Sequence, residues 1–446
     1  MSERSLHLNI NILNSGFHSG AWRAPAADAR DFLDINHYVR AARTAERGTF
    51  DAVFLADTPS FSDRPEYRPF NALEPTVILT AIAAATSHIG LIGTASTSYN
   101  DPYNLARRFA SLDLVSNGRA GWNVVTTADS GASRNFGFDG AGAHADRYER
   151  AAEFTEVVKA LWGSWEPDAF IGDKASGRFV DVSRVHPIEH RGRHFRVRGP
   201  LSVPGSAQGR PVVVQAGGSD DGRHLAALHA DAIFSVAHTP EEAIAFADDI
   251  RARARALGRR DTIVFLPGLG TTLAPTEAEA RRRQQELLEL IDPVYAVARV
   301  AGLLQVDPGR LSLDKPLPDD LVVPPDGMQT FSAATLALAR RDRLTVRDLV
   351  RILGGSTGHR LFVGTPEQLA DDIERWFLAG AADGFNLMPD VVTDGLEIFV
   401  DHVVPLLRRK GIFRSHYEGA TLRERLGLEL PPRLPSPAAE TIVAAS

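Results

Sequence analysis

The fold class this sequence predicts is α/β, a (β/α)8 TIM barrel with insertions between its strands. Three observations carry the prediction. Short apolar segments alternate with helical stretches along most of the chain, as expected for parallel strands joined by right-handed helical crossovers. About eight strand-like segments can be counted. Polar and aromatic residues gather immediately after those segments, which is where a barrel of this kind builds its site.

In order, Leu8 to Ile12 reads as a strand and Ile35 to Arg47 as a helix. The strand Asp51 to Leu55, the helix Leu73 to Thr86, the strand Ile89 to Thr94 and the helix Pro102 to Val115 follow. Arg119 to Val125 gives a fourth strand, with a helix from Arg147 to Trp162. Periodicity then breaks, and the glycine, proline and charge between Trp165 and Gln208 predict a loop with a hairpin. Strands resume at Pro211 to Ala216, Ala232 to Val236 and Thr262 to Leu269, separated by helices near Asp220 to Ala230 and Pro240 to Leu257. After a helix near Thr276 to Ile291, the run Asp307 to Asp326 is rich in proline and aspartate and reads as a second excursion. Gly384 to Met388 and the helix Leu396 to Lys410 make the last unit. The expected organisation is one domain over residues 1–430, with insertions at about 165–210 and 292–345, and an extended tail at 431–446.

Composition sets limits on function. Of 446 residues, 44% are hydrophobic and 24% charged, the balance of an ordinary globular protein. Without cysteine there is no disulfide, thiolate ligand or cysteine nucleophile, which leans towards the cytoplasm. A net charge of −7 offers no global field for nucleic acid, and no run of about 18 apolar residues or secretory leader is visible, so no membrane partner is expected. Arg281, Arg282 and Arg283 read as a solvated helix face.

The strand-end rule selects the candidate residues. After the first strand come Asn14 to Arg23, including His18; Asp57 follows the second; Ala95 to Tyr99 follow the third; Asn123, Thr126 and Thr127 follow the fourth. Gly217, Gly218 and Ser219 stand where a strand gives way to a helix, and free amides at a helix start suit a phosphate. The competing reading is a plain turn in which Ser219 or Asp220 caps the helix. His144 and Tyr148 are one helical turn apart and face one ligand if their helix begins early; otherwise both are surface groups. Asp57 suits a polar ring edge or a structural cap, and Phe17, Trp22 and Phe54 read as core before pocket. His186, His190 and His194 fall in the hairpin segment, and no metal-ligand spacing, Gly-x-Ser-x-Gly elbow or Walker sequence occurs, so no metal site is expected.

Read as a whole, Gly20-Ala21-Trp22-Arg23, Ala45-Glu46-Arg47-Gly48-Thr49-Phe50-Asp51, Leu73-Glu74-Pro75, Gly121-Trp122-Asn123-Val124-Val125-Thr126, Arg147-Tyr148-Glu149-Arg150-Ala151 and Gly364-Thr365-Pro366-Glu367-Gln368 carry a resemblance. The chain resembles the nitrilotriacetate monooxygenase component A group of the bacterial-luciferase-like superfamily, which also holds the dibenzothiophene-sulfone and pristinamycin IIA monooxygenases. The matching segments span about residues 5 to 427.

The resemblance implies a luciferase-like barrel that binds FMN non-covalently. Asp57, Thr94, His144, Tyr148 and Ser219 fall on the family's flavin-contacting positions, with Ser219 by the phosphate and Gly218 permitting close approach. Asn123 stands beside the flavin, His18 near its reactive edge, and His359 reaches the site from another loop. Implied chemistry is that of a two-component monooxygenase. Reduced FMN (FMNH2) and O2 as co-substrate form a flavin peroxide at C4a or N5, which oxygenates a small organic substrate by C–N or C–S cleavage or Baeyer–Villiger-type chemistry. No nicotinamide fingerprint is present, so a separate NAD(P)H:flavin reductase is the expected source of FMNH2. A homodimer or homotetramer is also implied. Rival readings are a deazaflavin-dependent oxidoreductase, a flavin-cleaving enzyme, and a non-catalytic flavin-binding protein. One departure concerns substrate: some relatives carry a pocket histidine after the seventh strand, and Val297 to Leu313 has none.

Overall fold

The computed structural model describes residues 4–61, 65–323, 329–354 and 358–431. Eight parallel strands close on themselves: β1 (His7–Asn11), β2 (Ala52–Leu55), β3 (Gly90–Ser96), β4 (Ala120–Val125), β5 (Val212–Gln215), β6 (Ala232–Ser235), β7 (Val264–Leu273) and β8 (Gly384–Pro389). Neighbours in sequence are neighbours in the sheet, and pairing of β8 with β1 completes the ring. The long β7 serves two partners in succession, β6 along Val264 to Pro267 and then an added strand, Arg360–Gly364, along Leu269 to Leu273.

Local chemistry explains where the helices begin. Asp34, Glu74, Asp101, Ser219, Thr239 and Thr276 each cap the helix that follows a strand, accepting an otherwise orphaned amide, and Pro75, Pro102 and Pro240 occupy the first turn behind three of them. The helix after β4 starts at His144, earlier than the Arg147 start read from the sequence. The helix after β8 is broken: Val392–Ile398 and Val404–Arg409 are joined by a π-helical turn, Phe399–Val403.

Strand alternation sorts the side chains. Ala52, Phe54, Ile92, Val212, Val214, Ala232, Val264 and Leu266 fill the lumen as one cluster, while the intervening Val53, Leu55 and Leu91 pack outward against the helices. Leu422, Leu426 and Leu428 of the C-terminal segment join the lumen cluster and plug the end at which the strands begin. An ion-pair node locks the plug: buried Asp231 accepts from Arg210 at 2.9 and 3.1 Å, from Arg423 at 3.0 Å and from the Val213 amide at 2.9 Å. The two arginines hold its carboxyl below the usual carboxylate range despite burial.

The segment between Trp165 and Gln208 contains two short hairpins, Phe170–Asp173 with Arg178–Val180 and His190–Arg191 with Arg196–Val197. Its histidines face carboxylates: His186 lies 2.7 Å from Glu166 and His190 3.0 Å from Glu153. Beyond β7, the helices Pro293–Leu304, Gln329–Asp342 and Val346–Gly354 carry a small core of their own, including Val300, Leu304, Leu336 and Leu349. Apart from Pro431, the tail expected at 431–446 lies outside the described residues. Arg283 departs from the solvated face assigned to it, since it turns inward to Asp390 and Asp394 while Arg281 and Arg282 stay exposed. Among the described residues, no helix is long and apolar enough to cross a membrane.

Candidate active site at the barrel mouth

At the end of β5 the chain turns tightly into the helix Asp220–His229. Gln215 Oε1 accepts from the Gly217 amide at 2.8 Å, and a Cβ on Gly217 would sit 2.3 Å from Gln215 Nε2 and 2.9 Å from Gly222 Cα. Only glycine fits there without a shift. Ser219 Oγ accepts from the Gly222 amide at 3.2 Å, so the capping reading of this serine is correct. Arg223 Nε donates to the Gly218 carbonyl at 3.1 Å and Nη1 to Asp249 at 2.9 Å, which pins the turn. Both first-turn aspartates are engaged elsewhere, Asp220 with Arg253 at 2.6 Å and Asp221 with His144 Nδ1 at 2.9 Å. The positive end of the helix therefore remains available to an anion.

The early start of the helix His144–Trp162 brings His144 to that turn, with the Tyr148 ring tilted against it at 4.7 Å between centroids and 38° between planes. His144, Tyr148, Gly218 and Ser219 are thus brought together. On the neighbouring strands, Thr94 and Asn123 are in register, and Asn123 Nδ2 donates to Thr94 Oγ1 at 2.9 Å. Thr127 Oγ1 donates to Ser96 Oγ at 2.8 Å and Ser98 Oγ to the Thr126 carbonyl at 3.2 Å, stitching the β3 and β4 ends into one wall.

His18 lies after β1, buried. Its Nδ1 accepts from the Gly20 amide at 3.1 Å, which places the proton of the neutral ring on Nε2. That Nε2 is buried and has no hydrogen-bond partner among the described residues. Burial, then the charges of Arg299, Arg68 and Arg283, lower the ring's pKa to about 3. His359 lies flat on Phe234, 4.9 Å between centroids and 4° between planes, in the space a side chain on Gly268 would need. Burial and His238 likewise lower it to about 3. Both histidines are neutral donors or acceptors near pH 7, and neither is an imidazolium acid. Asp57 stands apart after β2, its carboxyl pushed up to about 6 by burial and by Glu74.

Several residues at the mouth were not selected from the sequence. Asn9 and Asn11 on β1, Asn386 on β8 and Thr271 on β7 each hold a buried side-chain atom with no hydrogen-bond partner among the described residues, as does Asn123 through Oδ1. Unsatisfied groups of this kind cost on the order of 1–3 kcal/mol each and call for a polar ligand. Alternation in His7-Leu8-Asn9-Ile10-Asn11 was the missed signal, because every second residue of a barrel strand faces the lumen. A flat ring with polar edges and a phosphate tail fits this set: unpartnered donors and acceptors around the mouth, and a glycine-lined helix start at β5.

A cavity of about 830 Å³ lies instead among Arg4, Arg251, Arg255, Arg259 and Arg425 at the opposite end of the barrel. That end serves stability in barrels of this class.

A closed eight-stranded barrel with its polar groups gathered at the carboxyl ends of the strands defines an enzyme of the (β/α)8 class. The luciferase-like monooxygenase family model matches residues 14–383, and the chain belongs to that family. It is 43% identical to nitrilotriacetate monooxygenase component A of Aminobacter aminovorans, over 96% of this chain and 98% of the relative. With N-acetyl-S-(2-succino)cysteine monooxygenase of Bacillus subtilis (strain 168) the identity is 42%, over the same shares. Among solved structures, a riboflavin lyase with modified FMN and riboflavin superposes with a TM-score of 0.82 at 35% identity, covering 96% of this chain and 97% of that one.

Proposed function

We propose that this chain is the oxygenating component of a two-component FMN-dependent monooxygenase, acting in the cytoplasm as a homodimer or homotetramer. It takes reduced FMN from a separate NAD(P)H:flavin reductase and, with O2, transfers one oxygen atom to a small organic substrate while the other leaves as water. The observation that carries this reading is the ring of buried polar atoms on Asn11, His18, Asn123, Thr271 and Asn386, without partners among the described residues, at the mouth of a luciferase-like barrel.

Bound reduced FMN supplies the electrons that activate O2. The residues supply the rest. Ser219 and the amides of the turn after β5 hold the phosphate, with Gly218 at close approach and His144 and Tyr148 flanking it. Asn123, fixed by Thr94, presents its free Oδ1 to the ring edge, and Asp57 takes a second polar edge. His18, with its proton on Nε2, would serve as a neutral donor to the bound group, and His359, stacked on Phe234 on the β6–β7 side, would help position the substrate as a neutral ring. The Phe54–Phe234–His359 column beneath, with ring centroids 5.3 and 4.9 Å apart, keeps water out of the lumen.

A second reading, cleavage of the flavin itself, is favoured by the likeness to the riboflavin lyase. One experiment separates the readings. Purified protein is titrated with oxidised FMN and, anaerobically, with reduced FMN; then a reductase, NADH and a panel of amines, thioethers and sulfones are added, and O2 uptake and products are followed. Intact recovered FMN with an oxygenated product supports the monooxygenase. Stoichiometric loss of FMN supports the second reading, and no affinity for FMN in either redox state overturns both.

A further inference from the structure

We propose that the β1 side of the barrel mouth is a binding site for a carboxylate of the substrate, built by Arg68, Arg299, Tyr295 and Ser19. The inference rests on the monooxygenase reading and adds the chemical class of the substrate to it.

Tyr295 and Arg299 are one turn apart on the helix Pro293–Leu304, so both project to one side. Arg299 donates to Ser19 Oγ, next to His18, and its charge acts on the Tyr295 phenol one turn away. Arg68 reaches the same phenol from the loop after β2, with Nη1 3.4 Å from the hydroxyl. Two guanidinium groups thus converge on one hydroxyl pair, Tyr295 Oη and Ser19 Oγ, and Arg68, Tyr295 and Arg299 are half-buried rather than sealed in the core. Guanidinium forks match a carboxylate in plane and charge, and like-charged forks this close favour an anion between them.

The local field is positive in a chain whose net charge is −7. Burial alone would push the Tyr295 phenol up, yet it is lowered, because Arg68 and Arg299 outweigh desolvation. Arg299 itself is lowered to about 10 by burial, opposed by Tyr295 and reinforced by Arg68. A third guanidinium near His18, that of Arg283, is neutralised by paired bonds of 2.7 to 3.0 Å to Asp390 and Asp394. His18 Nε2 lies within the same field, buried and without a partner among the described residues.

Position separates this site from the phosphate turn. In the ring of eight strands β1 stands opposite β5, so an anion held at Ser19 and one held at Ser219 lie across the mouth from each other. The cofactor phosphate belongs to the β5 end, and the cluster at β1 is left for the substrate.

The test uses full-length protein saturated with oxidised FMN and titrated calorimetrically with succinate, iminodiacetate and thiodiglycolate, each against its dimethyl ester. At least one acid should bind, its ester at least about tenfold more weakly, the scale of a lost charge-assisted pair. Arg68→Gln and Arg299→Gln should weaken the acid by about tenfold or more while FMN affinity stays within about twofold; Arg299→Lys should recover part of the loss. Arg68 is partly exposed, so its variant remains informative if Arg299→Gln melts early. Equal binding of acid and ester, absence of any acid binding, or loss of FMN affinity in step with acid affinity would overturn the proposal. Failure of the monooxygenase reading has a different signature, wild-type protein that binds no FMN.

Discussion

Asn123 Nδ2 donates to Thr94 Oγ1 across the seam between β3 and β4, and the Asn123 Oδ1 left behind is buried with no partner among the described residues. The pair spends stability on a preformed acceptor, since a satisfied amide elsewhere would avoid a cost of about 1–3 kcal/mol. Asn123→Leu, close in shape and apolar, should therefore raise the thermal midpoint of the flavin-free protein while weakening FMN binding by about tenfold, or roughly 1.4 kcal/mol. Melting curves and FMN fluorescence titration check both signs. Unchanged FMN affinity would show that this carboxamide faces no cofactor.

Ser219 has one task the structure shows, the helix cap, and one proposed for it, holding a phosphate, and one comparison can pull them apart. As a cap it stabilises the helix Asp220–His229 through the Gly222 amide, worth about 1 kcal/mol. As a phosphate donor it acts on FMN and not on riboflavin, which lacks the phosphate. Ser219→Ala should lower the thermal midpoint slightly and reduce the preference for FMN over riboflavin several-fold. Equal weakening of both flavins would leave the serine only its cap.

His18 is held neutral, and the sign of its pH effect follows. Its folded pKa of about 3 lies below the ordinary 6.5, so the folded state binds fewer protons than the unfolded chain as pH falls from 6.5 towards 3. Its contribution to stability is present above pH 6.5 and is lost progressively below. His18→Gln retains an N–H donor without titrating, so its melting midpoint should fall less than that of wild type between pH 7 and 5. The rate of substrate-dependent O2 uptake should show no limb near pH 6.5 that His18→Gln removes; such a limb would mean that the ring works as an acid. His18→Leu, lacking the donor, should be slower than His18→Gln by about tenfold or more.

How much of this was legible in the sequence depends on range. The eight strands could be read because each is a short apolar run, and the helices because Glu74-Pro75, Asp101-Pro102 and Thr239-Pro240 announce their first turns. Of the candidate site, residues that follow the strands could be picked out, His18, Asp57, Asn123 and Ser219 among them, while Thr94 came with the family resemblance. His144 stood out by its spacing to Tyr148, but its bond to Asp221 joins residues 77 apart and has no local trace. Arg68, Ser19 and Arg299 are brought together by an excursion that carries its own core, Val300 and Leu304 among it, and nothing within either segment points to the other. Arg283 was misread for the same reason, since its partners Asp390 and Asp394 lie more than 100 residues away.

Asp57 gives the opposite linkage to His18. Burial and the neighbouring Glu74 push its carboxyl up to about 6, above the ordinary value near 3.8. The folded state then holds a proton that the unfolded chain releases, so the contribution of this group is fully present below pH 3.8 and is lost as pH rises to about 6. Asp57→Asn keeps the shape and removes the titration. Its melting midpoint relative to wild type should be smallest at pH 4, grow between pH 4 and about 6, and stay constant above. Glu74→Gln still caps the helix Pro75–Ala85 through its carbonyl oxygen but removes the like charge. In that background the gain from Asp57→Asn should shrink and its rise should move to lower pH. A difference independent of pH would show that Asp57 ionises as freely in the folded protein as in the unfolded chain.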